Sequence, residues 1–259
     1  MLKPNFFIDN NGPLLFGHRG CSHAAPENTL AAFRLLKENG IPGVELDVRI
    51  CATGEMVVFH DDDFKRIFGI EGTIEDTTFE ALQKLDAGIH KGEQFNGERV
   101  PLMSEVFELL ENTVFYDIEL KNRQKTTGAQ EAELDRLIKK YGLESNCIVS
   151  SFNPLSVNAF RKVNHRISRA VIYSATKELP WFLRNGEGRY ISRSSILKPE
   201  HIKITRRFMC WYSKFLKYPV LTWTVDDPAR AEELIKMGVS GIISNRPEDL
   251  KHLFNGNGK

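Results

Sequence analysis

The chain has almost no charge surplus, no cysteine pairing motif and no long apolar run. Its 35 basic and 34 acidic side chains leave a formal net charge of +1. No overall field therefore draws it to nucleic acid, and any phosphate recognition must be local. The four cysteines, Cys21, Cys51, Cys147 and Cys210, are scattered without a CxxC pair. That argues against a zinc site and against a disulfide framework, and it suits a reducing compartment. No stretch approaches the ~20 apolar residues of a membrane span, so no stable membrane insertion is expected. The N-terminal MLKPNFFIDNNGP has no apolar core of signal-peptide length, and the expected location is cytoplasmic. Linker-like composition and short internal repeats are also missing. With 259 residues, 41% of them hydrophobic, the expectation is a single domain, 1–259, around one large core.

What is present is a rhythm of short apolar runs and helical stretches. Residues 14–16 (LLF) read as a first strand. It ends on Gly17-His18-Arg19-Gly20, where the glycines let the backbone turn tightly around a proton carrier and a fixed cation. Glu27-Asn28-Thr29 opens a helix over 30–39, closed by Gly40 and Pro42. In 43–48, Val44, Leu46 and Val48 share one face; Glu45 and Asp47 share the other, about 7 Å apart along the strand. A turn at 52–55 leads to a short strand, 56–59, delivering His60-Asp61-Asp62. Residues 63–99 are polar and glycine-dotted, break the rhythm, and read as an insertion over the barrel end with one small helix at 79–86. A helix follows over 105–112, with Ser104 placed to cap it. Further strands are expected at 114–120, 146–150, 168–173, 220–225 and 241–244, with a poor one at 190–194. Helices are expected at 128–141, 154–163, 176–184, 200–217, 228–237 and 247–254. About eight strand–helix units argue for an α/β fold of the TIM (β/α)₈ barrel type over an open sheet.

The polar residues that end these strands form a constellation. Active sites of such barrels lie at the C-terminal ends of the strands, which is where His18, Glu45, Asp47, His60 and Glu119 fall. Glu45 and Asp47 could be the polar face of an edge strand, but inside a barrel two neighbouring carboxylates need a partner. Glu119 adds a third from the neighbouring strand. Three carboxylates and no thiolate point to a hard divalent cation, Mg²⁺ or Ca²⁺. His18 and His60 alone of the seven histidines end expected strands, and as a pair they suit acid–base work near neutral pH. Arg19 and Lys121 either neutralise a phosphate or form salt bridges to the same carboxylates. Phe152 and Trp223, ending later strands, are either plain packing or an apolar wall for a substrate. Asp61 and Asp62 either orient His60 or are solvated loop acids.

The motifs HRG, PENT, ELDV, VVFHDDDFKR, LDAG, VPL, DIELK, SSFNP, WTVDDP and GIISNRP occur in this order, from Leu14 to about Asp249. Together they resemble the glycerophosphodiester phosphodiesterase family. The resemblance implies a TIM barrel with a small inserted subdomain after the second strand, at about 63–99. It implies one divalent cation on Glu45, Asp47 and Glu119, an acid–base pair of His18 and His60, and Arg19 and Lys121 on the phosphate. The implied reaction is metal-dependent hydrolysis of a small glycerophosphodiester to sn-glycerol 3-phosphate and an alcohol, with attack by the glycerol 2-hydroxyl through a cyclic phosphate favoured. A lysophospholipase D-type enzyme on lipid substrates is the alternative, and Phe64, Ile67, Phe68 and Ile70 of the insertion are either its groove or a small core. A catalytically silent phosphodiester-binding barrel would show substitutions among the five site residues, and none is seen. The chain departs from the family pattern at Asp226, where Asn is usual, and at Asn245, where Asp is usual.

In 200–217, Ile204, Phe208, Trp211, Tyr212 and Phe215 recur at helical spacing and are expected to face the barrel. Lys203, Arg207, Lys214 and Lys217 form a second stripe, read as a solvated basic face rather than a lipid-binding one.

Overall fold

The computed structural model describes residue 7 and residues 12–121, 128–176 and 179–254. Nine strands occur among the described residues: β1 Leu14–His18, β2 Gly43–Ile50, β3 Met56–Val58, β4 Phe115–Leu120, β5 Cys147–Ser151, β6 Ser168–Tyr173, β7 Ile196–Pro199, β8 Leu221–Thr222 and β9 Gly241–Ser244. Eight of them run side by side in the order β7-β6-β5-β4-β2-β1-β9-β8. Their pairings are parallel. The two ends of that series meet through single parallel bridges, Leu197 to Val220 and Glu200 to Trp223, and the Leu197 amide donates to Pro219 O at 3.0 Å. This is the (β/α)₈ barrel, closed along a thin β7–β8 seam.

The alternation of side chains builds two cores. Leu15, Val44, Leu46, Val48, Ile118, Val149 and Ile242 point outward and pack with Phe33, Leu36, Phe107, Leu134, Phe160 and Leu234 of the surrounding helices. Phe16, Ile148, Ala170, Ile196, Leu221 and Ile243 point inward and fill the lower lumen. Gly43 makes this possible: a Cβ there would lie 2.4 Å from the Phe16 ring. Above that plug the inward positions of the same strands carry polar groups, so the strand period of two sets the depth of the site as well as its membership.

Helices begin where short polar side chains accept the first free amides. Thr29 Oγ1 takes Ala32 N–H at the start of Leu30–Glu38, Asn153 takes Leu155 N–H before Pro154–Val163, and Asp227 takes Ala229 N–H before Pro228–Met237. The expected Ser104 cap is not used; the helix Met103–Leu110 starts two residues earlier than expected, and the Glu105 carboxylate accepts Leu102 N–H at 2.7 Å.

Several expectations are corrected. The strand Met56–Val58 pairs antiparallel with β2 and lies off the barrel path, a hairpin that carries His60 up beside the lumen. Residues 63–99 hold short helical turns, and Phe64, Ile67, Ile74, Leu82 and Ala87 bury against Val57, Phe59 and Val100 in a cluster of their own. Phe64 and Ile67 therefore form a core, not a groove. The poor strand at 190–194 is instead the helix Gly188–Ser192, and the true strand is β7, a few residues on. The helix expected at 176–184 is a 3₁₀ turn, Trp181–Leu183, and residues 177–178 of that stretch lie outside the described residues.

The helix expected at 200–217 is a 3₁₀ turn at His201–Lys203, one helical turn at Arg206–Phe208 and a π-helix at Met209–Phe215. Wider π winding displaces residues from a 3.6-residue stripe. Ile204 and Met209 are buried, but Trp211 and Phe215 are 54% and 67% exposed and stack on each other at 4.9 Å. The expectation that all five apolar residues face the barrel is overturned for these two. Among the described residues no helix is long and apolar enough to cross a membrane.

Candidate active site

The register of β1, β2 and β4 assembles the acidic centre. His18 lies beside Glu45 across one ladder and Asp47 beside Glu119 across the next. Carboxylate oxygens of Glu45, Asp47 and Glu119 all lie within 4.8 Å of one another, and the three side chains are buried. Glu45 Oε2 is buried without a hydrogen-bond partner. Convergent buried carboxylates with an unsatisfied oxygen are what a hard divalent cation requires, so the residues present fit one.

Cations surround the trio. Lys121 Nζ is 2.7 Å from Glu119 and 3.3 Å from Asp47, and Arg19 Nε is 3.4 Å from Asp47. Arg19 also donates to Glu27 at 2.7 Å. The salt bridges open to Arg19 and Lys121 are thus made, while both side chains still line the cavity. Burial opposes ionisation of Asp47, but Lys121 and Arg19 outweigh it and hold its carboxyl well below the usual range. Burial pushes the Glu45 carboxyl up, against the pull of Lys198. Asn28 Nδ2 fixes Asp47 Oδ2 at 2.9 Å. Arg19 and Asn28 both sit at positive φ, 57° and 56°, and Gly20 at 85°. A Cβ on Gly20 would lie 2.7 Å from that of Ala32, so the turn presenting Arg19 needs glycine there.

The two histidines are held from behind in different ways. His18 Nδ1 lies 2.6 Å from Asn245 Oδ1. The Asn245 amide nitrogen donates to Asp226 Oδ2 at 2.7 Å, and Asp226 Oδ1 accepts Ser244 Oγ and the Asn245 backbone amide. This network assigns the amide orientation, so Nδ1 of His18 carries the proton and Nε2 presents a lone pair 3.8 Å from Glu45 Oε2. Burial, then the charge of Arg19, push His18 down to about 4. His60 Nδ1 lies 2.6 Å from Asp61 Oδ1 instead. Arg66 clamps Asp61 at 2.7 and 3.0 Å and Glu27 at 2.8 and 2.6 Å. Burial would raise Asp61, but the hydrogen bonds from His60 and Arg66 hold it well below the ordinary carboxylate value. Asp61 therefore orients His60, whereas Asp62 pairs with Arg49 at 2.6 Å.

The cavity between them has a volume of about 710 Å³. His18, Arg19, Glu45, His60, Glu119, Lys121, Phe152 and Trp223 all line it. Phe152 and Trp223 meet edge to face at 5.4 Å and form one wall. Trp223 Nε1 donates to Lys198 O at 3.0 Å, which fixes the ring. Asp47 is the one expected site residue behind that surface rather than on it.

One residue was missed in the sequence. Lys198 on β7 is 1% exposed, with Nζ 2.8 Å from Asp117 and 3.3 Å from Glu45. Ser150 Oγ donates to Asp117 at 2.8 Å. Burial lowers the Lys198 ammonium, but Asp117 and Glu45 more than compensate and hold it charged above the ordinary lysine range.

A family model, the glycerophosphoryl diester phosphodiesterase family, matches residues 18–249. A glycerophosphodiester phosphodiesterase of Caldanaerobacter subterraneus is 37% identical over 243 residues, 93% of this chain and 97% of that protein. One from Bacillus altitudinis is 33% identical, covering 90% of this chain and 95% of its own. Among solved structures, an Oleispira antarctica phosphodiesterase in complex with the product sn-glycerol-3-phosphate superposes with a TM-score of 0.85 at 27% identity, over 95% of this chain and 98% of that one. The chain belongs to the glycerophosphoryl diester phosphodiesterase family and is an enzyme of the phosphoric diester hydrolase class.

Proposed function

We propose that this family member cleaves small glycerophosphodiesters to sn-glycerol 3-phosphate and an alcohol in the cavity of His18 and His60. The observation that carries the reading is the convergence, on one cavity, of His18, His60, Glu45, Glu119, Arg19 and Lys121, with Asp47 buried beside the other two carboxylates. Glu45, Asp47 and Glu119 would hold one divalent cation, Mg²⁺ or Ca²⁺. When bound, such an ion supplies Lewis-acid charge to phosphoryl oxygens.

The chain's own residues supply the rest. Arg19 and Lys121 place fixed positive charge where the phosphoryl oxygens gain negative charge. His18, neutral with Nε2 free, takes the proton from the glycerol 2-hydroxyl as its oxygen attacks phosphorus. His60, oriented by the Asp61 carboxylate, gives its proton to the departing alkoxide. The cyclic phosphate then opens with the roles reversed: His60 takes a proton from water and His18 returns its own to the 2-oxygen. Phe152 and Trp223 give the glycerol carbons an apolar wall. Leu179 and Ile172 extend the cavity lining beyond that wall, and this observation favours lysophosphatidylcholine as a second substrate class to assay.

The test is hydrolysis of glycerophosphocholine and of lysophosphatidylcholine by protein stripped with chelator, then resupplied with Mg²⁺, Ca²⁺ or Mn²⁺. Glycerophosphocholine turnover that vanishes on chelation and returns with one of these ions is the expected result. Full activity after chelation would remove the cation from the reading. Turnover of the lysophospholipid alone would transfer the enzyme to the lipid-substrate class.

A further inference from the structure

A second basic pocket lies at the other end of the barrel, where β6 and β7 begin. Its volume is about 220 Å³. Arg161, His165, Arg166, Arg169, Arg193 and Ser195 line it, no lining residue is acidic, and none is shared with the cavity of the two histidines.

Arg169 sets this pocket apart from a solvated basic face. It is 8% exposed. Its Nη1 donates to the carbonyls of Ile167 at 2.6 Å and His165 at 3.2 Å, a local role that closes the turn before β6. Its Nε is buried with no partner. Among the described residues none of the four arginines is ion-paired with a carboxylate. Asp135 does not supply the missing charge: it accepts Asn164 Nδ2 at 2.6 Å and pairs with Lys139 at 2.7 Å. Arg161 Nε donates to a neutral amide, Asn158 Oδ1, at 3.1 Å. A guanidinium is always protonated, and burying one without a counter-charge is unfavourable. Burial, and after it the charge of Arg161, push Arg169 below its ordinary value, as an uncompensated cation requires.

We propose that this pocket binds a tetrahedral oxyanion, a phosphate or the phosphate of a small monoester, anchored on Arg169 and closed from the rim by Arg166 and Arg193. Planar forks of N–H donors match phosphate oxygens, and several of them on one small cup select a compact, multiply charged anion over chloride. Ser195 also lines the cup, but its hydroxyl donates to the Arg169 carbonyl at 3.4 Å, so the charged donors are the arginines. A cup rather than a track, on a chain of balanced net charge, fits a small anion better than a nucleic-acid backbone.

The experiment is calorimetric titration with inorganic phosphate at matched ionic strength. It is run on the full chain, on Arg19→Ala/Lys121→Ala, which strips the cavity of its two rim cations, and on Arg166→Ala/Arg193→Ala. The cavity variant is expected to keep one binding event. The same event, in a chain carrying all four changes, is expected to weaken about tenfold or more, the loss that follows from removing charged hydrogen bonds. Arg166→Ala/Arg193→Ala alone is expected to leave phosphodiester turnover unchanged. Replacing phosphate by sn-glycerol 3-phosphate separates the two sources: tighter binding of the ester assigns the site to a monoester, equal or weaker binding to the free anion. Arg169→Gln should abolish the event and the phosphate-induced rise in melting temperature; if that variant does not fold, the rim pair decides alone. No binding by the cavity variant, or binding indifferent to Arg166 and Arg193, would overturn the proposal.

Discussion

Behind His18 stands an amide, and behind His60 stands a carboxylate. The two chains of support are otherwise alike: each fixes Nδ1 at 2.6 Å, and each ends in a further charged group, Asp226 in one and Arg66 in the other. Asp226 reaches His18 only through Asn245, so its charge is one residue removed from the ring. Asp61 touches the His60 ring directly. The rings differ in their support because of this: Nδ1 of His18 faces a neutral amide, and Nδ1 of His60 faces a carboxylate. Their origins differ too. The first support is made within the barrel, from the ends of β8 and β9, whereas the second reaches His60 from Arg66 in the segment 63–99 and returns to Glu27 beside β1.

The largest effect that could break this contrast comes from the rings themselves. His18→Ala and His60→Ala should each lower kcat on glycerophosphocholine by about 10²–10⁴-fold. On a glycerol aryl phosphodiester, whose leaving group needs no proton, His60→Ala should regain much of that loss in the first-turnover release of the aryl alcohol and His18→Ala none. Single-turnover rates on both substrates check this, and equal recovery in both variants would erase the division of labour. Asp61→Asn should follow, costing about ten- to a hundredfold in kcat, the worth of one charged hydrogen bond. Its effect should fall on kcat more than on KM, because Asp61 touches no substrate. Asn245→Asp comes third. A carboxylate against Nδ1 favours the protonated ring, so the acid limb of kcat/KM should move to higher pH, with only a several-fold loss near neutrality; a pH–rate profile identical to that of the parent would show that Asn245 does not govern His18. Smallest is the effect of Glu27→Gln on acid stability. Burial would raise the Glu27 carboxyl, but Arg66 and Arg19 hold it down at about 2 against an ordinary value of 4.5. Its contribution to stability is present above about 4.5 and is lost as pH falls toward about 2. Melting temperatures followed across that window should decline less steeply in the variant.

The side of the barrel built from β1, β2 and β4 was readable in the sequence because its chemistry is local. Alternation placed Glu45 and Asp47 on the lumen face, and strand ends placed His18 and Glu119. The opposite side was not readable, for reasons of length. β7 spans Ile196–Pro199 and β8 only Leu221–Thr222, too short to show a period. Setting a strand at 190–194 instead hid Lys198, whose role depends on facing Asp117 and Glu45 across the lumen. Trp211 and Phe215 were misplaced because a π-helix abandons the 3.6-residue spacing on which the expectation rested. Asp226 and Asn245 stand in the sequence as two separate departures; that they hydrogen-bond to each other behind His18 is a fact of the β8–β9 ends meeting β1, which no spacing encodes.

Lys198 has a consequence for the direction in which the reaction is drawn. Four carboxylates, Glu45, Asp47, Asp117 and Glu119, face three permanent cations, Arg19, Lys121 and Lys198, and one negative charge is left over. With the divalent cation proposed for the trio the balance becomes one positive charge, and the proton that His60 would carry for the leaving alkoxide makes it two. A phosphodiester monoanion leaves one of these charges over, whereas a phosphate monoester, a dianion above about pH 6, cancels both. In a lumen shielded from water that difference is felt strongly. The surroundings are then matched to the charge of the product rather than to that of the substrate.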